Sequence, residues 1–155
     1  MMTQNTREVI GRKTKRELER QPSPGQKESR LLAVTTDLQV REVILDLVHG
    51  YPCNLVFQES PNQFREDLAE NLPCDAVLID LPGPAEEYLE LLAVVKEICP
   101  GTEVIFISPL AGEELWIESL RHGAYDFLPK PVDKTELRRV VINALEKVRL
   151  AQLLH

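Results

Sequence analysis

Cysteine is scarce in this chain of 155 residues, which contains only three. They are scattered along the sequence as Cys53, Cys74 and Cys99. An odd number of cysteines at irregular spacing fits neither a disulfide framework nor a zinc site. We therefore expect free thiols that pack as small apolar side chains, and a reducing cytoplasm as the setting of the protein.

The chain also lacks long hydrophobic runs, and no secretory signal is visible at its start. No apolar stretch approaches the roughly 20 residues that a membrane-spanning helix needs. Hydrophobic residues make up 43% of the chain and charged residues 28%, which is ordinary for a soluble globular protein. The length fits one domain with some additional chain, and no membrane span is expected.

Positive charge is scarce outside the N-terminus. Residues 1–30 hold 8 Lys/Arg and 4 Asp/Glu (8 − 4 = +4), and residues 31–155 hold 10 and 21 (10 − 21 = −11), which together give the net charge of −7. Because phosphate contacts need cationic side chains, this acidic part is not expected to bind nucleic acid directly. We predict a flexible basic extension over residues 1–29, with a short helix near 7–20 and a linker at 21–26. Its basic residues are Arg12, Lys13, Lys15, Arg16 and Arg20.

Beyond the extension, apolar strand-like runs alternate with amphipathic helical patterns. The predicted strands are 31–34, 54–58, 75–80, 103–107 and 125–128. The predicted helices are 38–48, 61–71, 85–98, 112–122 and 133–154. Nearly continuous apolar strands between helices indicate a parallel sheet that is covered on both faces. The sequence therefore predicts an α/β fold, a doubly wound five-stranded parallel sheet with five helices, (βα)5.

Four polar features follow predicted strands, so that they share one edge of the sheet. Ligand-binding sites of open parallel sheets lie beyond the carboxyl ends of the strands. An aspartate held there can act as a nucleophile or as a metal ligand. The four features are Thr35-Thr36-Asp37, Asp80, Ser108 and Lys130-Pro131.

This ordered set resembles the receiver domain of bacterial two-component response regulators. The resemblance covers about residues 30–150 and is strongest at 75–81 with Pro84, and at 123–131. The separation of Ser108 and Lys130 (130 − 108 = 22) is also similar to that of the family. The resemblance implies a flavodoxin-like fold and a cytoplasmic phosphorelay domain at 30–150, with 151–155 ending an extended C-terminal helix.

The resemblance also implies a role for each matching residue. Asp80 is the expected phosphoacceptor, which receives a phosphoryl group from a sensor histidine kinase or a phosphotransfer protein. Lys130 and Ser108 are expected to bind that group, Phe127 takes the position of the switch aromatic, and the peptide bond before Pro131 is the candidate cis peptide. The domain is expected to signal rather than act as an enzyme, with at most slow self-catalysed phosphorylation and dephosphorylation. These roles require the side chains of Asp80 and Lys130 to meet.

One departure from the family concerns the metal. Thr35 and Thr36 stand where the family carries an acidic pair that holds Mg²⁺, and hydroxyls bring no negative charge. We expect at most weak Mg²⁺ binding, with Asp80 and Asp37 as the remaining carboxylate ligands. Two mechanisms stay open: a phosphorylation switch, and an atypical receiver that acts as a phosphorylation-independent protein-interaction module.

The last helix and two aromatic residues indicate which surface contacts a partner. The last helix is longer than the sheet requires and stays apolar to its end, so we expect it to pair with a second copy or to lead into an effector domain. Trp116 and Tyr125 fall on the face formed by the fourth helix, the fifth strand and the fifth helix, which receivers use for partners. We predict that both residues belong to a partner surface.

A remote alternative is a small flavodoxin-like enzyme, either a flavin protein or a phosphatase. The loop at 35–39 lacks the glycine and the repeated hydroxyls that cradle a phosphate, and no cysteine lies in a phosphate-loop context. A colourless purified protein would exclude the flavin.

Overall fold

The computed structural model of the chain describes residues 9–10, 28–70, 74–80, 84–109 and 113–154. Within these ranges one sheet lies between two helical layers. The strands are β1 (Val9–Ile10), β2 (Ser29–Val34), β3 (Cys53–Gln58), β4 (Ala76–Asp80), β5 (Glu103–Ser108) and β6 (Asp126–Pro129). The helices are α1 (Leu38–His49), α2 (Pro61–Ala69), α3 (Ala85–Ile98), α4 (Glu113–Arg121) and α5 (Lys134–Leu153).

The order of the strands determines where the site can lie. The sheet runs β1-β3-β2-β4-β5-β6, and the five strands β2 to β6 are parallel. The chain leaves β2 for β3 on one side and returns to β4 on the other, so the carboxyl ends of β2 and β4 border the crevice where the winding reverses. The predicted doubly wound fold of five parallel strands and five helices is confirmed.

Strand β1 is an addition that the sequence did not predict. Val9 pairs with Val56 and Ile10 with Leu55 in antiparallel register, at residues assigned to a flexible or helical extension. Two β-branched residues favour a strand. The outer edge of β3 has backbone groups that no other parallel strand binds, and β1 pairs with this edge. Ser29, also assigned to the extension, begins β2. The predicted basic cluster at 12–20 and the linker at 21–26 lie outside the described residues.

Each face of the sheet is covered by its own apolar layer. Helices α1 and α5 pack on one face, and α2, α3 and α4 pack on the other. Alternate residues of β2 supply the two layers, with Leu31 and Ala33 on the first face and Val34 on the second. Because apolar side chains cover both faces of the sheet, a polar site is expected at the ends of the strands.

The helix starts follow the capping pattern of the sequence. The Ser60 side chain accepts a hydrogen bond from the Gln63 N–H at 3.2 Å, and Asp133 accepts one from the Glu136 N–H at 2.8 Å. The predicted end of the second helix at 71 and the predicted start of the fourth at 112 lie outside the described residues.

Helix α5 extends beyond the layer that it covers. Its buried residues end with Leu145, whereas Leu150, Leu153 and Leu154 are 52%, 63% and 83% exposed. The last turn of the helix is therefore not needed to cover the sheet. Val140 is also among the buried residues of α5.

The cysteines match the expectation of free thiols. Cys53 is buried, and Cys74 and Cys99 are half-buried without a disulfide. Burial raises the pKa of the Cys74 thiol to about 12, so this group stays protonated at neutral pH. None of the helices in the part of the chain that the structure describes is both long and apolar enough to cross a membrane.

Candidate functional site

Asp80 lies at the centre of the polar cluster at the carboxyl edge of the sheet. It ends β4, a strand whose five residues are all buried, and is itself only 4% exposed. The Thr35 hydroxyl donates a hydrogen bond to Asp80 Oδ2 at 2.6 Å, and Lys130 Nζ lies 2.9 Å from Asp80 Oδ1. Each oxygen of this carboxylate thus has its own partner, as a buried charge requires.

Thr35 extends the end of β2 toward Asp80. Its N–H donates to the Gln58 carbonyl at 2.9 Å, and its hydroxyl oxygen also accepts from the Asp37 N–H at 3.0 Å. From the sequence, Thr35 was identified only as a replacement for an acid of the family, and its hydrogen bond to Asp80 was not predicted. Its position directly after β2, the neighbour of β4, was the signal that could have found it.

Asp37 joins the cluster through its second carboxylate oxygen. Oδ1 caps α1 by accepting from the Gln39 N–H at 2.8 Å and the Val40 N–H at 3.4 Å. Oδ2 lies 2.7 Å from Lys130 Nζ. Asp37 and Asp80 were predicted as candidate metal ligands, and in the structure their carboxylates both contact the Lys130 ammonium.

Lys130 enters the cluster from the loop between β6 and α5. Its N–H donates to the Ser108 carbonyl at 3.1 Å, which holds this loop beside the end of β5. The peptide bond between Lys130 and Pro131 is cis. The meeting of Asp80 and Lys130, on which the sequence-based site depended, is present in the structure.

The charges of the cluster change the pKa values of two of its members. The hydrogen bond from Lys130 is the main cause that lowers the pKa of Asp37 below its usual 3.8. Burial alone would lower the pKa of Lys130, but its hydrogen bonds to Asp37 and Asp80 outweigh burial and raise it. At neutral pH the ammonium and the Asp37 carboxylate are therefore both ionised.

The donor set does not fit a resident Mg²⁺ ion. Among the described residues, no group of three or more His, Cys, Asp or Glu side chains could hold a metal. The two carboxylates of the cluster, Asp37 and Asp80, already share the Lys130 ammonium, and Thr35 adds a hydroxyl without charge. Mg²⁺ prefers carboxylate oxygens and water in octahedral geometry, so this arrangement offers it little.

Replacing Asp37 by Asn is expected to flatten the acid dependence of stability. Because the folded-state pKa of Asp37 is lowered, its contribution is present above the unfolded value of 3.8 and is lost as the pH falls through the folded value. Asparagine still caps α1 but cannot pair with Lys130. Urea unfolding between about pH 3 and pH 6 should show a shallower loss of stability in D37N than in the wild type. Equal slopes would contradict this account of the ion pair.

Ser108 and Phe127 flank the cluster from β5 and β6. Ser108 is fully buried at the end of β5, one residue beyond Ile107, the register partner of Asp80. Phe127 is 4% exposed, and its ring centroid lies 6.2 Å from that of Phe106 and 6.4 Å from that of Tyr88. The switch-aromatic candidate is therefore packed inward.

Tyr88 is a further aromatic residue of this region, and its burial was not predicted from the sequence. It is 1% exposed on α3, and its ring meets that of Phe106 edge-on, with centroids 5.2 Å apart. Its helical spacing with Leu91 and Leu92 was a signal for burial.

The two predicted partner-surface residues lie outside the cluster. Trp116 on α4 is 43% exposed, next to Ile117 at 38%. Tyr125, just before β6, is half-buried, and the Lys147 ammonium lies 5.6 Å from its ring centroid. The surface of α4 thus carries a large exposed aromatic side chain, while Tyr125 packs against the core and against Lys147 of α5.

Comparison with known proteins identifies relatives of this chain. The chain is 31% identical over 114 residues to the response regulator protein PilR of Pseudomonas aeruginosa, which covers 74% of this chain and 25% of PilR. It is 37% identical over 73 residues to the regulatory protein LuxO of Vibrio cholerae, which covers 47% of this chain and 16% of LuxO. The chain thus spans a quarter or less of the length of these two relatives.

A solved structure agrees with the fold. The signal receiver domain of a putative LuxO repressor protein from Vibrio parahaemolyticus superposes with a TM-score of 0.73 at 21% identity, covering 83% of this chain and 98% of that domain. The sequence model of the response regulator receiver domain matches residues 31–142, which include all the members of the cluster. This chain therefore belongs to the response regulator receiver domain family of two-component signalling.

Proposed function

We propose that Asp80 of this receiver domain accepts a phosphoryl group from a sensor histidine kinase or a phosphotransfer protein. The observation that carries the proposal is the ion pair between Asp80 Oδ1 and Lys130 Nζ at 2.9 Å. It pairs a carboxylate nucleophile with a cation that can bind the oxygens of the transferred phosphoryl group. Such a pair at the carboxyl end of a central strand suits acyl phosphate formation.

The transfer exchanges one bond to phosphorus for another. An Asp80 carboxylate oxygen attacks the phosphorus of a phosphohistidine, the P–N bond breaks, and its electron pair stays on the imidazole of the donor. The Lys130 ammonium attracts the phosphoryl oxygens as charge shifts, and the Ser108 hydroxyl is the candidate hydrogen-bond donor to them. The products are an aspartyl phosphate in this chain and a dephosphorylated donor.

The resting geometry favours a slow reaction. Both oxygens of Asp80 accept hydrogen bonds, one from Thr35 and one from Lys130, and the residue is 4% exposed. These bonds stabilise the carboxylate before it attacks, which lowers its reactivity. We therefore expect any self-catalysed phosphorylation and dephosphorylation to be slow.

The output is proposed to pass through the face formed by α4, β6 and α5. Phe127 links this face to the site, because it packs inward from β6 between Phe106 and Tyr88. Trp116 is exposed on α4, and the apolar last turn of α5 projects past the core. Either feature can pack against a second copy or an effector domain in the bacterial cytoplasm.

Incubation with acetyl phosphate, followed by intact-mass measurement, tests the proposal. The wild type should gain the mass of one phosphoryl group, and Asp80→Asn should gain none. Asp75→Asn is the matched control, because Asp75 lies just before β4 at its opposite end and accepts from the Arg30 N–H at 2.8 Å. D75N should be labelled like the wild type.

Two results would overturn the proposal. Labelling that persists in D80N would place the phosphoryl group elsewhere. A wild type that gains no mass, while an ordinary receiver is labelled under the same conditions, would instead favour a phosphorylation-independent interaction module.

A further inference from the structure

The four carboxylate oxygens of Asp37 and Asp80 all have hydrogen-bond donors within the protein. Lys130 Nζ lies 2.7 Å from Asp37 Oδ2 and 2.9 Å from Asp80 Oδ1. The remaining oxygens are bound by the backbone at the start of α1 and by the Thr35 hydroxyl. A single ammonium nitrogen therefore stands at hydrogen-bond distance from both acids.

This is the geometry expected of a cation held between two carboxylates. The side chain of Lys130 is 24% exposed, and those of Asp37 and Asp80 are 31% and 4% exposed. The three charges sum to −1, so that the ammonium neutralises half of the negative charge that would attract a further cation. A divalent ion at this position would have to displace the ammonium, since each acid has one oxygen committed to it.

We propose that the Lys130 ammonium occupies the divalent-cation position of this receiver, so that Asp37 and Asp80 are held together without Mg²⁺. Asp37 is then a positioning residue, which fixes the ammonium over Asp80 and ties it to the start of α1. The inference rests on the proposed function because it concerns the same Asp80 carboxylate. Its test uses no phosphodonor, so the two proposals can fail separately.

An ammonium in a cation position differs from a purely structural ion pair in what its removal leaves behind. If the ammonium fills a cation position, its removal leaves two carboxylates and the Thr35 hydroxyl facing an empty position. Mn²⁺ takes the same oxygen ligands as Mg²⁺ and can be followed by its paramagnetism. A variant without the ammonium should therefore acquire a Mn²⁺ site that the wild type lacks.

The experiment measures the unfolding temperature and Mn²⁺ binding of variants of the 155-residue chain. At a Mn²⁺ concentration roughly ten times the Kd, Lys130→Met should gain about 3–6 °C in Tm, while the wild type should not change. Lys130→Gln is a second variant, which also removes the positive charge but keeps a polar side chain, and it is used if K130M unfolds. It should also gain in Tm with Mn²⁺. The double variant K130M/D37N should lose the gain, because Asn keeps the cap of α1 but removes one ligand charge.

Lys134→Met is the matched control. Lys134 pairs with Asp46 at 2.7 Å on the surface, and no second carboxylate of the described residues forms an ion pair with this ammonium. K134M should therefore show no response to Mn²⁺. The proposal is overturned if the wild type responds to Mn²⁺ as strongly as K130M. It is also overturned if neither K130M nor K130Q responds, or if K134M responds equally.

Discussion

Restoring the acidic pair, as Thr35→Asp with Thr36→Asp, is expected to make phosphorylation of Asp80 dependent on Mg²⁺ and faster by on the order of 10²-fold. Thr35 is fully buried against Asp80, and Thr36 is exposed beside it. Two added carboxylates raise the negative charge of the cluster beyond what Lys130 alone neutralises. The metal would then offset charge in the transition state, which the wild-type cluster leaves to Lys130.

The labelling rate with acetyl phosphate, with Mg²⁺ and with a chelator, measures this effect. In the chelator the double variant should fall to the wild-type rate or below, because two buried carboxylates in contact then share a proton. Thr35→Val, which removes the hydroxyl without adding charge, should gain no Mg²⁺ dependence. A double variant that reacts equally fast with and without Mg²⁺ would show that the missing acids do not limit the reaction.

Replacing Phe106 by alanine is expected to cost about 3–5 kcal/mol of unfolding free energy. Phe106 is fully buried in β5, and its ring packs edge-on against Tyr88 and at a tilt against Phe127. Removing the ring leaves a cavity in the middle of the layer that joins the site to α3 and β6. The loss is a large part of the roughly 5–15 kcal/mol that stabilises a typical domain.

Urea unfolding measures this loss, with Phe106→Leu as a milder variant that should cost less than about 1.5 kcal/mol. Trp116→Ala is the matched aromatic control, because this side chain is 43% exposed. It should change stability by at most about 1 kcal/mol, while it removes the anchor proposed for a partner. Equal losses in F106A and W116A would contradict the assignment of core and surface.

The order of elements was available from the sequence because it depends on local pattern. Continuous apolar runs such as 76–79 predict buried parallel strands, and the caps Ser60 and Asp133 mark helix starts. The place of Asp80 and Lys130 at one edge followed from the same alternation, since parallel strands bring their carboxyl ends together. Hydropathy patterns and helix caps depend on residues that are close together in the sequence, so both can be recognised from the sequence alone.

Two contacts within the cluster, Thr35 with Asp80 and Asp37 with Lys130, were decided by the tertiary structure alone. Thr35 and Asp80 are 45 positions apart, and Asp37 and Lys130 are 93 apart, so neither contact follows from spacing. Strand β1 depends in the same way on the free edge of β3, and Tyr88 on the rings that two other strands bring beside it. The sequence by itself determined the five parallel strands, the five helices and which residues reach the carboxyl edge of the sheet. Only the packed chain decided which oxygen faces which nitrogen, because that depends on distances set by the whole fold.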